Sequence, residues 1–164
     1  MNIDNRALVI TRAGRTYRGS AIVAALAANY SAVGIECYAA STRLVVVKRI
    51  AVSLSVAAGT VDIYDAADDF STGTVITPLY KRQGISNASA YGGVRWAQNP
   101  ALNNLFTAGA VSSCGVTRAG AANAAIELIT DSPIILEPDS GLFITATAQN
   151  VGVSVVFEWE ELGG

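Results

Sequence analysis

Residues 43–55 read RLVVVKRIAVSLS, and this stretch carries the strongest strand signal in the chain. Aliphatic side chains occupy every second position from Leu44 to Leu54, with Lys48 as the exception. The opposite parity starts with Val45 and Val47 and then turns small or polar. Such a pattern predicts a strand that is buried on both faces at one end and on one face at the other.

Strand patterns continue on either side of this segment. Apolar residues alternate with other types over 33–38, which predicts a strand before it. Downstream, AAG at 57–59 has turn composition, and residues 60–64 read TVDIY. We therefore expect segments 43–55 and 60–64 to form a β-hairpin.

The C-terminal part repeats short strands at intervals of about ten residues. Predicted strands cover 125–130, 134–136, 142–148 and 153–160, with turns at 137–141 and 150–152. In the last strand one parity holds Val153, Val155, Phe157 and Trp159, and the other holds Ser154, Val156, Glu158 and Glu160. This alternation predicts a half-buried strand that ends in a charged tail. The spacing favours an all-β sandwich or barrel.

The middle of the chain, residues 65–123, is rich in Gly, Asn, Ser and Ala. Short strands are predicted at 75–80, 93–96 and 111–117, inside a long loop-rich insertion. An insertion of this length in a compact domain usually serves function or is covered by a partner.

The N-terminal segment is basic. Its arginines are Arg6, Arg12, Arg15 and Arg18, opposed by Asp4 alone. Two interpretations stand: a solvated, flexible terminus, or an arm that lies on an acidic partner surface. We expect residues 1–29 to form an N-terminal arm and residues 30–164 to form a single β-sandwich domain.

The amino-acid composition narrows the classes of function that the chain can have. The 164 residues suit one domain able to bury a core. Only 15% are charged and 51% are hydrophobic, whereas soluble domains carry about 25% charged residues. Low charge predicts that copies of the chain or a larger assembly cover much of the surface. A net charge of −2 argues against a nucleic-acid partner, and the apolar runs are too short to span a membrane.

The sequence contains few residues of the types that enzymes use for catalysis. The chain has no histidine, and Cys37 and Cys114 lack the spacing of a zinc site, so we expect no enzyme activity, metal or cofactor. Whether the two cysteines meet stays open, with small buried hydrophobes favoured over a bridge. The acidic run DIYDAADD at 62–69 is interpreted as a solvated loop, with a loose calcium site as the alternative.

One group of side chains could form an interaction surface. Aromatic and basic residues lie together in the insertion: Tyr80, Arg82, Tyr91, Arg95 and Trp96. Aromatics beside arginines can bind sugars or proteins, and they can equally pack beneath a long loop. We name these five, with the four N-terminal arginines, as candidate interface residues.

Three segments carry a family resemblance: TRLVVVKRIAVSLSVAAGTVDIYD, SPIILEPDSGLFITATAQN and VGVSVVFEWEEL. Together they resemble the small jelly-roll structural proteins of tailed bacteriophages, which are capsid decoration (cement) proteins or appendage knobs. Leu136, Pro138, Gly141 and Leu142 match a "leucine, short turn, glycine" step, Phe157, Trp159 and Glu160 match the last strand, and Asn150 lies at the turn of the last hairpin. The likeness covers residues 43–65 and 124–162.

The resemblance implies a jelly-roll β-sandwich that forms a homo-oligomer, with a trimer favoured. It implies a capsid decoration protein assembled in the host cytoplasm, placed on the outer capsid surface and bound to the major capsid protein. The alternatives are a tail, neck or fibre component, and then a carbohydrate-binding module that uses Trp96.

Overall fold

A computed structural model describes residues 16–24, 30–55, 59–66, 74–76, 79–80, 91–99, 111–120, 124–128, 133–146 and 150–163. Every regular element in these ranges is a β-strand. Sheet A contains β1 (Thr16–Val23), β3 (Arg43–Ser55), β6 (Leu79–Tyr80), β9 (Ala125–Glu127), β10 (Ile134–Leu136) and β12 (Gly152–Gly163). Sheet B contains β2 (Tyr30–Cys37), β4 (Gly59–Ala66), β5 (Thr74–Ile76), β7 (Gly92–Asn99), β8 (Val111–Gly120) and β11 (Ser140–Ala146).

The two sheets are antiparallel, and a shared apolar core lies between them. Sheet A has the order β10-β3-β12-β1-β6, with β9 also paired to β3, and sheet B has the order β5-β7-β2-β11-β4-β8. The inward side chains of both sheets form one cluster, in which Phe157 and Trp159 of β12 are fully buried. The predicted all-β antiparallel sandwich is confirmed.

Two predicted hairpins are wrong. Strand β3 belongs to sheet A and β4 to sheet B, although only residues 56–58 separate them. Strands β11 and β12 are likewise divided between the sheets. Asn150 therefore belongs to a connection from sheet B to sheet A and not to a hairpin turn. Three extended residues span about 10 Å. Because packed sheets lie about 10 Å apart, a connection short enough for a hairpin is also long enough to cross between sheets.

A β-bulge interrupts the pairing of the two longest strands. In β12, Glu158 lies opposite Arg49 of β3, while the next residue, Trp159, lies opposite Val47. Lys48 is therefore the extra residue of β3, and it is exposed. A bulge of this kind shifts the side-chain alternation of the bulged strand by one position.

The bulge changes which residues of β3 face the core. Before it, Val45 and Val47 point inward; after it, Ile50 and the alternate residues that follow point inward. Val46 is buried but lies outside the core cluster. The prediction of burial on both faces at one end of this strand and on one face at the other is confirmed. Val45, Val46 and Val47 are all buried, and after the bulge only alternate residues are. The sequence pattern does not show that Lys48 forms a bulge.

Part of the predicted N-terminal arm belongs to the sandwich. Strand β1 pairs with β12 along its full length, from Thr16 opposite Glu160 to Val23 opposite Val153. Its odd-numbered residues are buried and Arg18, Ser20 and Ile22 are exposed, so the segment has the alternation of a half-buried strand. Residues 1–15 lie outside the described part, as do three of the four arginines assigned to the arm.

The outer faces of the two sheets differ. On sheet B, Phe143 and Thr145 point away from the core yet are 2% and 0% exposed, and the Tyr64 ring stacks on Phe143 at a centroid distance of 4.9 Å. On sheet A, Arg18 and Ile22 of the outer face are exposed. Antiparallel sheets commonly leave one face in water, and here the open face belongs to sheet A.

Candidate functional site

Buried polar groups gather where β7 begins, and this set is called the polar cluster below. Its members are Glu36 of β2, Tyr91 just before β7, Gly92 and Arg95 of β7, and Glu161 of β12. Glu36 and Glu161 are both 0% exposed. Because burying a carboxylate is costly unless it is well paired, both residues require partners inside the sandwich.

Glu36 lies on the outer face of sheet B and is paired with Arg95. The alternation of β2 places Ile35 and Cys37 in the core and Glu36 on the opposite face. The Arg95 Nε donates to Glu36 Oε1 at 2.5 Å, and the Arg95 side chain is 23% exposed. The guanidinium therefore neutralises a carboxylate that water does not reach.

Glu161 lies on the inner side and joins the two sheets. It belongs to sheet A, and its Oε1 accepts the backbone N–H of Tyr91 at 2.6 Å and that of Gly92 at 3.3 Å, next to sheet B. Its Oε2 and the indole Nε1 of Trp159 are buried and lack a well-formed hydrogen bond among the described residues. Burial raises the pKa of Glu161, and the amides of Tyr91 and Gly92, the Trp159 indole and the charge of Arg43 oppose that rise.

Three contacts hold Tyr91 in place. Besides its bond to Glu161, its carbonyl accepts the N–H of Tyr38 at 3.0 Å, and the Arg43 guanidinium lies over its ring at 4.7 Å from the centroid. Tyr38 and Arg43 flank the turn between β2 and β3. Tyr91 therefore contacts β12, the first residue of β3 and the residue that follows β2 at this end of the sandwich.

The chain needs glycine at the start of β7. A Cβ at Gly92 would lie 2.7 Å from Val45 Cγ2 and 2.9 Å from the Glu36 carbonyl oxygen. A Cβ at Gly93 would overlap the Tyr38 hydroxyl. This close approach brings the Gly92 amide within reach of Glu161.

Cys37 is free and buried beside this cluster, which agrees with its interpretation as a small buried hydrophobe. Its thiol donates to the Arg43 carbonyl at 3.3 Å. Burial is the main cause that raises the pKa of Cys37, and the charge of Glu161 adds to it. A thiol whose pKa is raised is a poor nucleophile, so the position does not resemble an activated cysteine.

The outer face of sheet A carries a row of alternating charges. Arg18 of β1 lies opposite Glu158 of β12, which lies opposite Arg49 of β3. Arg49 bonds to Glu158 at 3.5 Å and to Glu127 of β9 at 2.5 Å. Beside the row, Lys48 pairs with Glu160 at 3.4 Å. Because exposed pairs of this kind contribute little to stability, the row mainly sets the polarity of this face.

The structure separates the residues named as an interaction surface. Tyr91 and Arg95 belong to the polar cluster, and Trp96 packs against the core while partly buried. Arg18 is exposed on the outer face of sheet A, and Tyr80 lies in β6, where it pairs with Tyr17. Arg6, Arg12, Arg15 and Arg82 lie outside the described residues.

The prediction that the last strand ends in a charged tail is wrong for its final residues. Glu161 is fully buried and Glu160 is 7% exposed, so β12 continues into the sandwich instead of leaving it. Neither Glu36 nor Glu161 was named from the sequence. The sequence signal is weak: Glu36 alternates with the apolar residues of its strand, and Glu161 comes directly after the alternating segment 153–160.

The described residues contain no group of three or more His, Cys, Asp or Glu side chains able to hold a metal ion. No helix in the described ranges has the length and apolar character needed to cross a membrane. Comparisons with protein-family models, with curated proteins and with solved structures each find no match.

Proposed function

We propose that this sandwich is of the jelly-roll type. The support is a nested pairing of strands: β1 with β12, β2 with β11, β3 with β10, and β4 with β8. From one pair to the next, the first strand comes later in the chain and the second strand comes earlier. The pairs alternate between sheet A and sheet B, as they would if one long hairpin were wound around the core. Eight strands arranged in two such sheets define a jelly roll, an architecture of viral capsid and lectin domains.

The remaining strands fit this proposal as additions. Strands β5, β6 and β7 come from the segment between β4 and β8. Strand β6 extends sheet A beyond β1, and β7 followed by β5 extends sheet B beyond β2. Strand β9 adds a short second partner to β3. The loop-rich insertion of the sequence is therefore the segment that widens both sheets.

We propose further that the chain is a virion structural protein that decorates a phage capsid and stabilises it by binding the major capsid protein. The nested pairing carries this proposal, together with the sequence resemblance to phage jelly-roll proteins. The low charged fraction of 15% supports a role in association. The hydrogen bonds that Glu36 and Glu161 make within the sandwich support a structural role for these carboxylates and a function other than catalysis.

Particle stoichiometry and stability test this function. Virions of the phage that encodes the chain should contain hundreds of copies on the outer capsid surface, counted by quantitative mass spectrometry and located by electron microscopy. Capsids stripped of the protein should lose resistance to heat and osmotic shock and regain it when the protein is added back. A few copies at the neck or tail would instead make it an appendage component, and stripped capsids of unchanged resistance would refute the decoration role.

Variants on the open face of sheet A refine the test. Ile22 is 79% exposed on β1, near the exposed Arg18. If this face meets the capsid, Ile22→Ser and Arg18→Glu should weaken add-back binding while the fold is retained. Val75→Ser is the matched control, since Val75 is 52% exposed on β5 of sheet B. Equal binding by all three variants would exclude this face.

A further inference from the structure

We propose that a second copy of this chain packs against the open face of sheet A, and that the two-fold axis of the resulting dimer runs between β12 and β3. This inference goes beyond the proposed capsid role and does not depend on it. The surface concerned is called the dimer face below. It consists of the outward residues from Arg18 to Ile22 of β1 and of those at the same level on β12, β3 and β9.

The charged residues of the dimer face change sign from one strand to the next. From β1 to β9 the row contains Arg18, Glu158, Arg49 and Glu127. The ion pair between Arg49 and Glu127 brings the carboxylate of Glu127 to the level of this row. The signs are therefore positive, negative, positive and negative in one direction and the opposite in the other. Such a row is complementary to its own reverse.

A two-fold dimer uses the same patch on both copies, so its surface must be complementary to itself. The axis proposed here is parallel to the strands, and it places β1 of one copy over β9 of the other and β12 over β3. Arg18 then faces the partner's Glu127, and Glu158 faces the partner's Arg49. Each of these contacts occurs twice, and every charge of the row meets the opposite sign.

The same row disfavours the neighbouring positions of the axis. An axis along β12 would place Arg18 over the partner's Arg49, and an axis along β3 would place Glu158 over the partner's Glu127. An axis that follows the row across the strands would place each residue over its own copy. Because like charges that face one another oppose association, only the axis between β12 and β3 suits the row.

The exposed apolar side chain of the dimer face fits this axis as well. Ile22 is 79% exposed. At its level across sheet A lie Ser154 of β12, Ser53 of β3 and Ala125 of β9, in that order. Ile22 and Ala125 thus occupy equivalent positions on the two sides of the axis. In the dimer each Ile22 packs on the partner's Ala125, a small and exposed residue, and leaves water.

The size of the dimer face predicts a weak dimer. Four strands about 4.8 Å apart and about six residues of roughly 3.4 Å each give a flat area on the order of 400 Å² per copy. Side chains make the accessible area larger than the flat area, so the two copies together bury about 1,000 Å², near the lower limit for a specific interface. We therefore expect a dissociation constant in the micromolar range.

Sedimentation velocity on the free full chain, without capsids, tests the dimer. Between about 1 and about 500 μM we expect a monomer–dimer equilibrium that weakens with added salt. Ile22→Ser should raise Kd by at least about tenfold, because each dimer buries two copies of this side chain. Val75→Ser is the matched control, since Val75 is 52% exposed on β5 of sheet B, and it should leave Kd unchanged.

Two charge variants test the position of the axis. Arg18→Glu and Glu127→Arg should each remain monomeric alone, because a dimer of either variant brings two pairs of like charges together. An equimolar mixture of the two variants should dimerise, because residues 18 and 127 then carry opposite charges at both contacts. Circular dichroism would check that each variant is folded, and exposed positions such as these contribute little to stability.

Several outcomes would overturn the proposal. They are a chain that stays monomeric over the whole concentration range, a trimer or larger assembly, equal Kd values for Ile22→Ser and Val75→Ser, and a mixture of the charge variants that does not dimerise. If Ile22→Ser does not fold, the two charge variants still decide the question. The capsid role is measured by add-back to particles, so either proposal can fail without the other.

Discussion

Replacing Arg95 by methionine would remove the charge that faces a fully buried carboxylate. Methionine keeps an unbranched apolar side chain, so the substitution mainly deletes the ion pair between Arg95 Nε and Glu36 Oε1. Breaking a buried ion pair by removing one partner costs about 3–5 kcal/mol. Glu36 is 0% exposed but Arg95 is 23% exposed, so part of the interaction is screened by water. We therefore expect a loss of about 2–4 kcal/mol.

Thermal and urea denaturation, followed by tryptophan fluorescence, would measure this loss. For a domain of this length, 1 kcal/mol shifts Tm by about 2–4 °C, so a decrease of roughly 4–16 °C is expected. The double variant Glu36→Gln with Arg95→Met should recover much of the loss, because the buried charge is removed together with the cation that faces it. An unchanged Tm in Arg95→Met would refute the bracing role and return Arg95 to the group of candidate interface residues.

Two further substitutions probe the backbone. Gly92→Ala should destabilise the fold by about 1–3 kcal/mol in urea denaturation, because the added methyl group would meet Val45 and the backbone of Glu36; Gly163→Ala, with nothing within 4 Å of its Cβ, is the control and should unfold like the unmodified chain. Asn150 has a φ of 66°, so Asn150→Ala should cost about 1–2 kcal/mol while Asn150→Gly should be tolerated; equal midpoints for these two variants would contradict the argument from φ.

The strands could be predicted from the sequence wherever side-chain alternation is strong. Strand β10 begins and ends where it was predicted, and the alternate residues Val153, Val155, Phe157 and Trp159 point inward as expected. The turn predicted over residues 137–141 is present at Pro138 and Asp139, with Asp139 at a φ of 65°, and β11 already begins at Ser140. These features depend on local alternation and turn chemistry, which a single sequence records directly.

Strand partners could not be predicted in the same way. A connection such as residues 56–58 is equally suitable for a hairpin and for a crossing between sheets. The bulge at Lys48 depends on how β12 pairs with β3, so the local sequence shows only a lysine in an apolar row. Pairing between distant segments decides both features, and a local pattern does not contain that information.

The polar cluster had the weakest sequence signal. Glu36 alternates with apolar residues, which ordinarily predicts a solvated outer face, yet Arg95 from a segment 59 positions away covers it. Glu161 is buried because β7 lies close to it, 69 and 70 positions away along the chain. The chemistry of Arg95 and Tyr91 predicts an interaction surface, whereas the structure gives both residues internal contacts.

The position of β12 between β1 and β3 has a consequence for the order in which the protein can be completed. During synthesis, β1 and β3 are made long before residues 152–163, which pair with both of them. Until the ribosome has passed these residues, sheet A lacks its central strand, and two apolar edges stay open to wrong partners. Because the first and last strands must meet, folding of the described sandwich is dominated by non-local contacts and is expected to be slow. A chaperone that shields nascent strand edges should therefore raise the yield of native protein.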